Sequence, residues 1–456
     1  MTDTITFHVF FRSGGNTLHT QQKKLHQLFF PIFLEILFSM LAGTVDTLML
    51  STVGDAAVGA VGTANTYIGV LLIMFTIISS GMVAVMTQYI GAGRPGVAHQ
   101  ALKLGLIFNG VIGLVFTAAL TFGAGFILRT VGIAADLMAP GKTYLQVVGA
   151  FCLCNAIAPI YSSYLRSFGH TSPTMAATIT ANLVNLGLNA LFLFGFHWGV
   201  WGVAMATGIS RLVNMLWLFI AARRRIRVEK EDNLPPSREI FATIIRVGLP
   251  AAMESSLYNL AIAMVTRFLN QMDAEGVQTT ARSYAAQITS FSYCVGAALA
   301  YANAILAGWR IGAGELDACD RGTRRAGLLG VAVSLVISTL LAIFARPIVG
   351  LFTDDPAMVR LVSALLIVDI ALEVGRVVNL VYGTALKTSG DAVFPMAIAV
   401  VFAFLCAAGG TWFFGIRLGW LAVGAYVAMA LDECVRAVCM IARWRAGKWK
   451  KQNLVK

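Results

Sequence analysis

Apolar residues run through this chain in blocks of twenty or more, separated by short polar joints. A helix needs roughly 20 apolar residues, at ~1.5 Å rise each, to cross the hydrocarbon core of a bilayer. The pattern predicts twelve such helices. Six cover 27–51, 57–90, 100–129, 139–165, 173–196 and 199–222, and six more cover 243–270, 277–308, 322–349, 357–386, 393–415 and 419–442. The runs are too long and too rich in internal glycine for barrel strands. The expected class is therefore an all-α integral membrane protein.

The pattern is written twice. Pro31-Ile-Phe-Leu-Glu35 returns as Pro250-Ala-Ala-Met-Glu254, Leu165-Arg-Ser-Phe-Gly169 as Leu386-Lys-Thr-Ser-Gly390, and Phe194-Gly195 as Phe414-Gly415. A spacing of roughly 220 residues is too long for a solenoid and indicates duplication of a whole lobe. Six is an even number of crossings, so both lobes begin and end on one side. The two six-helix bundles are then expected to be related by a pseudo-two-fold axis along the membrane normal, an arrangement found in transporters. The expected boundaries are a cytosolic tail over 1–26, an N-lobe over 27–222, a linker over 223–242, a C-lobe over 243–442 and a basic tail over 443–456. Pro235-Pro236 keeps the sixth helix from running on through the linker.

Composition agrees, with 58% hydrophobic and 12% charged residues. The formal net charge of +12 is unevenly placed. Arg12, Lys23, Lys24, the run Arg223-Arg224-Arg225-Ile-Arg227, Arg310, Arg321, Arg324, Arg325 and the tail from Arg443 to Lys456 fall on one side. The opposite loops hold Arg129, Lys142, Arg346, Arg360 and Arg417. By the positive-inside rule both termini are cytoplasmic, and the charge sets topology rather than recruiting nucleic acid. The stretch up to Gln27 is polar and basic and reads as a tail rather than a signal peptide. Cys152, Cys154, Cys294, Cys406, Cys434 and Cys439 lie in predicted helices and Cys319 in a cytosolic loop, with no metal-ligand or disulfide spacing. They read as apolar filler.

Two motifs mislead. Gly91-Ala-Gly93-Arg-Pro-Gly96 matches a dinucleotide fingerprint but follows a membrane helix instead of a strand, so a tight turn is the better reading. Gly141-Lys142-Thr143 has Asp136 where a phosphate-binding loop needs glycine. With no nucleotide motif, no G-x-S-x-G and six scattered histidines, no enzyme and no cofactor are expected.

Ionisable side chains at mid-bilayer cost ~2.5–3.5 kcal/mol on insertion scales and are functional candidates by default. Asp46 lies near the outer end of the first helix, Asn185 and Asn189 share a face of the fifth, and Thr207 lies at similar depth in the sixth. One carboxylate with amide and hydroxyl oxygens can hold Na⁺, and a desolvated Asp can instead take up a proton. In the tenth helix Asp369 and Glu373 share a face, and Arg376 follows Glu373 at i+3. Glu35 and Glu254 each follow a proline by four residues and could satisfy the backbone groups that the prolines free. Competing structural roles are interhelical hydrogen bonds for the asparagines, a helix cap for Asp46 and a Glu373–Arg376 lock.

Val45-Asp46-Thr47, Gln88-Tyr89-Ile90-Gly91-Ala92-Gly93, Gly199-Val-Trp-Gly202-Val-Ala and Glu373-x-Gly375-Arg376-x-x-Asn379, in this order and with the duplication, carry a resemblance. From Lys24 to Trp444 the chain resembles bacterial-type multidrug and toxic compound extrusion (MATE) transporters. The resemblance implies a monomeric antiporter in the bacterial inner membrane that exports organic cations in exchange for Na⁺ or H⁺ by alternating access, with membrane lipid as its other partner. It maps the family's first-lobe cation site onto Asp46, Asn185, Asn189 and Thr207, with Asp46, Asn185 and Thr207 as Na⁺ ligands. Glu35, Glu254, Asp369, Glu373 and Arg376 are the substrate or proton candidates. Asn189 stands where a second carboxylate is common, which makes protonation of Asp46 alone an alternative to Na⁺ binding. Tyr258 stands where some members place a second-lobe carboxylate. The alternative function is a flippase of lipid-linked oligosaccharide or lipid from the same superfamily, for which a cationic cavity would be expected.

Overall fold

The computed structural model describes residues 9–13, 16–20, 23–131, 135–229, 232, 234–273 and 275–455. Strands β1 (Val9–Ser13) and β2 (Asn16–Thr20) pair in a two-stranded sheet. The helices of the first repeat are α1 (Leu25–Ser51), α2 (Asp55–Gly91), α3 (Pro95–Val131), α4 (Ala135–Ala150), α5 (Cys152–Ser167), α6 (Thr171–Ala190) and α7 (Gly199–Arg225). Those of the second are α8 (Arg238–Met272), α9 (Val277–Gly312), α10 (Leu316–Ile343), α11 (Ala345–Val349), α12 (Pro356–Ser389), α13 (Val393–Phe402) and α14 (Leu421–Arg445).

Among the described residues nine helices are long and apolar enough to cross a membrane, and the α4–α5 pair makes a tenth crossing bent by 46°. Helices α12 and α14, of 34 and 25 residues, complete the twelve. Both carry groups of charged side chains that interrupt their apolar faces. The bend between α4 and α5 has an identifiable cause. At Phe151 the helical ladder is broken, and the amide of Leu153 donates 3.1 Å to Oγ1 of Thr117 on α3 instead. The fifth crossing ends as a π-turn, Leu191–Gly195, and the eleventh passes through two, Ala403–Gly409 and Thr411–Arg417.

The repeat extends to backbone geometry. Gly169 and Gly390, at the ends of the two repeated Leu-basic-x-x-Gly stretches, have φ of 78° and 103°. Gly199 and Gly419, after the repeated Phe-Gly pairs, have φ of 54° and 73°. Left-handed backbone suits glycine, so the shared glycines mark shared turns. Gly91-Ala-Gly93-Arg-Pro-Gly96 is the turn between α2 and α3, with Gly93 at φ 72°.

The chain forms two compact units. One gathers Phe30–Gly248, and the other gathers Leu249–Lys456 with His19–Phe29. The first packs around Leu120, Leu128, Leu145, Val148 and Ala156. Within it α2 meets the start of α8 without side chains between them: a Cβ on Gly248 would lie 1.8 Å from the carbonyl oxygen of Ile77, and one on Gly81 would lie 2.0 Å from that of Ile244. The linker is strapped to α3, where Lys103 Nζ donates 2.9 Å to the Leu234 carbonyl and Gln100 donates to that of Pro235. Burial and nearby Glu229 push the Asp232 carboxyl up, against the Gly96 amide that it accepts from.

The second unit has two apolar clusters, one around Leu269, Val362, Leu365 and Ala425 and one around Val381, Leu386, Trp444 and Trp449. Cys319, expected in a loop, is fully buried in the first turn of α10, and all seven cysteines are free. The basic tail is held in place. Trp449 stacks on Trp444 at 4.2 Å and 13°, and Nε1 of Trp444 donates 2.8 Å to Asp320.

Candidate functional site

Three of the four residues proposed for the first-lobe cation site converge. Asn189 Nδ2 donates 2.9 Å to Asp46 Oδ1 and 3.2 Å to Asn185 Oδ1, which brings α1 and α6 together through side chains 143 positions apart. The Asn185 carboxamide atom that faces Asp46 lies 2.5 Å from Oδ1 and 3.1 Å from Oδ2. Placed as a nitrogen, it donates to a carboxylate. Placed as an oxygen, it accepts from Asn189 and requires a proton or a cation between itself and Asp46. Asn189 is fully buried, and its Oδ1 has no hydrogen-bond partner. The arrangement is a small polar pocket that can change its hydrogen-bond pattern with the charge of one carboxyl.

Thr207 stands apart. No hydrogen bond joins it to Asp46, Asn185 or Asn189 among the described residues; elsewhere in the unit the hydroxyl of Tyr144 of α4 donates 3.2 Å to Asn65 Oδ1 of α2. Sequence reading passed over Arg211, which lies midway along α7 and acts electrostatically on Asp46 and Tyr144. It is an arginine far from the basic end of its helix, and that position was the available signal.

Glu35 and Glu254 do not serve the backbone freed by Pro31 and Pro250. Glu35 accepts from Arg166 at 2.5 Å, from Thr174 at 3.0 Å and from Thr178 at 3.3 Å. Glu254 accepts from Lys387 at 3.1 and 3.2 Å. Arg166 and Lys387 are the basic residues of the repeated Leu-basic-x-x-Gly stretches. The repeat therefore carries an acid–base pair, beyond the proline and glutamate visible in each first helix.

The second unit buries a larger network. Asp369 and Glu373 of α12 are each 2% exposed. Arg376 bonds Glu373 one turn away and reaches Glu433 of α14 at 3.5 Å. Glu433 also accepts 2.7 Å from Asn379 and 3.3 Å from the Tyr258 hydroxyl, while Arg436 pairs with Asp432 at 3.1 Å. The carboxylate missing from position 258 is thus supplied to Tyr258 by α14. Four carboxyls face two arginines. Asp369 Oδ2 and Asp432 Oδ1 have no hydrogen-bond partner, but Asp432 is paired with Arg436 through its other oxygen, so Asp369 is the acid left without an arginine of its own. Asp432, Glu433 and Arg436 escaped the sequence reading although their i, i+3 and i+4 spacing places them on one helical face.

A family model described as MatE matches residues 31–191 and again 250–412, so the match itself is double and starts at each repeated proline. The chain belongs to the MatE family. Among curated relatives, the uncharacterized transporter YisQ of Bacillus subtilis is 31% identical over 94% of this chain and 95% of its own. The probable multidrug resistance protein NorM of Thermotoga maritima is 25% identical over 95% and 94%. A MATE crystal structure in a bent conformation aligns with a TM-score of 0.83 at 19% identity, covering 94% of this chain and 96% of that one. The outward-facing structure of a multidrug resistance MATE transporter aligns with a TM-score of 0.82 at 19% identity, over 93% and 96%. These likenesses establish the fold of this MatE protein as a multi-pass membrane transporter.

Proposed function

We propose that this MatE protein is a secondary antiporter that exports organic, cationic and aromatic compounds in exchange for H⁺ or Na⁺ by alternating access. In this reading it works as a monomer in a bacterial inner membrane with both termini cytoplasmic. The observation that carries the proposal is the convergence of Asp46, Asn185 and Asn189 on one carboxyl inside the first unit. The double family match and the multidrug names of relatives such as NorM of Thermotoga maritima support an export role.

Chemically, the entering cation neutralises Asp46, and Asn185 and Asn189 rearrange their amides to suit the neutral form. A membrane potential contributes ~2.3 kcal/mol per charge per 100 mV, enough to bias the exchange when net charge moves inward. Glu35, Glu254 and Glu373 are each engaged by a basic side chain, so they attract a cationic substrate less than their number suggests. That task falls to Asp369, whose Oδ2 has no hydrogen-bond partner and which forms no ion pair among the described residues.

Proteoliposomes loaded with ethidium test the reading, with a pH gradient and a Na⁺ gradient imposed separately. The parent protein is expected to move ethidium under at least one gradient. Asp46→Asn is expected to lose ion-driven transport by tenfold or more. An Asp46→Asn protein with full ion dependence would refute the assignment.

A further inference from the structure

The two repeats treat their basic ends differently. Around the end of α14 the basic side chains find acids within their own unit. Arg443 pairs with Asp391 at 2.7 Å and Lys450 with Asp317 at 3.3 Å, while Asp320 accepts from Trp444 at 2.8 Å and lies 3.6 Å from Arg324. The repeat fixes the matching places in the first unit. Gly314 and Gly93 make the same left-handed turn, with φ of 77° and 72°, so Asp317 and Asp320 of α10 correspond to Gly96 and His99 of α3. The amides of Asp391 and His170 close the same turn on the carbonyls of Leu386 and Leu165, at 3.0 and 2.8 Å, so His170 stands where Asp391 does. None of these carboxylates exists in the first copy. The linker acid Asp232 lies against α3 instead, where a Cβ on Gly96 would be 3.0 Å from its Oδ1.

The arginines of the first copy remain. Arg223, Arg224 and Arg225 in the last turn of α7, and Arg227 just beyond it, are exposed. They form no ion pair among the described residues. Arg223 is held over the ring of Phe219 at 4.7 Å. Leu216, Trp217 and Ile220 are exposed on the same helix. They precede Arg223 and Arg224 by three, four or seven residues, which puts apolar and basic side chains on one face. Setting topology needs arginines on this side of the membrane but does not need them unpaired. The end of α14 shows the paired alternative.

We propose that the basic end of α7 is a binding site for an anionic phospholipid, with the headgroup phosphate on Arg223, Arg224 and Arg225 and an acyl chain along Leu216, Trp217 and Ile220. Guanidinium matches phosphate in both charge and geometry, and basic side chains at the end of a membrane helix attract anionic headgroups. A free phosphate would use the arginines alone. The exposed apolar face that runs into them suits a ligand with a chain attached. The lipid thus supplies from outside the negative charge that Asp317, Asp320 and Asp391 supply from within in the second unit.

The test uses the full chain in phosphatidylcholine vesicles with a minor share of phosphatidylglycerol, bromine being placed on the acyl chains of one lipid or the other. Bromine quenches a tryptophan that it touches, and the share due to Trp217 is the difference between the parent and Trp217→Phe. Mole for mole, brominated phosphatidylglycerol is expected to quench that share roughly threefold more than brominated phosphatidylcholine. Arg223→Gln, Arg224→Gln and Arg225→Gln together should bring the ratio near one. Should that variant fail to fold or insert, Arg224→Gln alone should lower the ratio. Lys448→Gln, Lys450→Gln and Lys451→Gln together remove as much charge from the tail and should leave the ratio unchanged, as should excess inorganic phosphate on both faces. A parent ratio near one overturns the proposal, as does a folded arginine variant that keeps the preference or a tail variant that loses it. Loss of the preference in inorganic phosphate would assign the arginines to a free anion and overturn the lipid. The readout needs no transport, so it stands or falls apart from the antiport reading.

Discussion

Glu433 receives an amide from Asn379, a phenol from Tyr258 and the charge of two arginines, all inside the second unit. Breaking a buried, hydrogen-bonded charge group by removing one partner costs about 3–5 kcal/mol, because the remaining charge is stranded. Glu433→Ala is expected to lose stability on that scale. Asp369→Asn takes away a carboxyl whose Oδ2 has no donor to lose, so thermal unfolding in detergent should leave it as stable as the parent or more so. A fall in stability for Asp369→Asn equal to that of Glu433→Ala would contradict this division. In the first unit the meeting of Asp46 with Asn189 followed from matched depth in two apolar runs. Arg211 stands alone inside an apolar run, apart from the basic residues that set topology, and was passed over. The α14 cluster was hidden because its partners Arg376 and Asn379 stand more than fifty positions earlier, and no local pattern links them.

Helices were the most legible objects in the sequence, since length and apolar content decide whether a segment can cross a bilayer. What the runs did not disclose was their internal mechanics: the break at Phe151, relieved by Thr117, and the π-turns that end the fifth and eleventh crossings. These depend on which neighbour offers a spare hydrogen-bond partner. The start of α9 is another such case. Asp273 accepts from the amides of Val277 and Gln278 at 2.9 Å each. Burial acts to raise its carboxyl, but the amides of Gln278, Val277 and Gly276 outweigh it and hold Asp273 below the ordinary carboxylate range. A lowered folded-state value means the stabilisation is present above the unfolded value and is lost as pH falls through the folded one. Asp273→Asn should therefore melt earlier than the parent at pH 7, with the gap closing below about pH 4. A gap that persists unchanged at pH 3 would show that the cap acts through shape rather than charge.

At the scale of the molecule the duplication is more complete than the letters suggest. Each unit has the proline, the glutamate that follows it, a basic partner for that glutamate, a left-handed glycine and a π-turn at the same relative place. The copies diverge where charge is buried: among the described residues Glu35 is the buried carboxyl of the first, whereas the second buries Asp369, Glu373, Asp391, Asp432 and Glu433. The second unit also has the tail, fastened by Trp449 against Trp444 and by Lys450 at 3.3 Å from Asp317. Both indoles are 1% exposed. Truncating such a side chain costs about 3–5 kcal/mol, so Trp449→Ala is expected to lower the melting temperature, whereas Lys450→Ala, at an exposed pair, should change it little. Equal effects from the two would mean that the tail is held by charge.

That stacked pair has an optical consequence. Two indoles 4.2 Å apart and only 13° from parallel couple their electronic transitions, and the protein has eight tryptophans in all. Circular dichroism of the intact chain carries a coupled signal from this one corner, next to the start of α10 and the end of α14. The signal persists while the tail is seated and disappears once it lifts, so the molecule reports on the seating of its C-terminal tail without an added label.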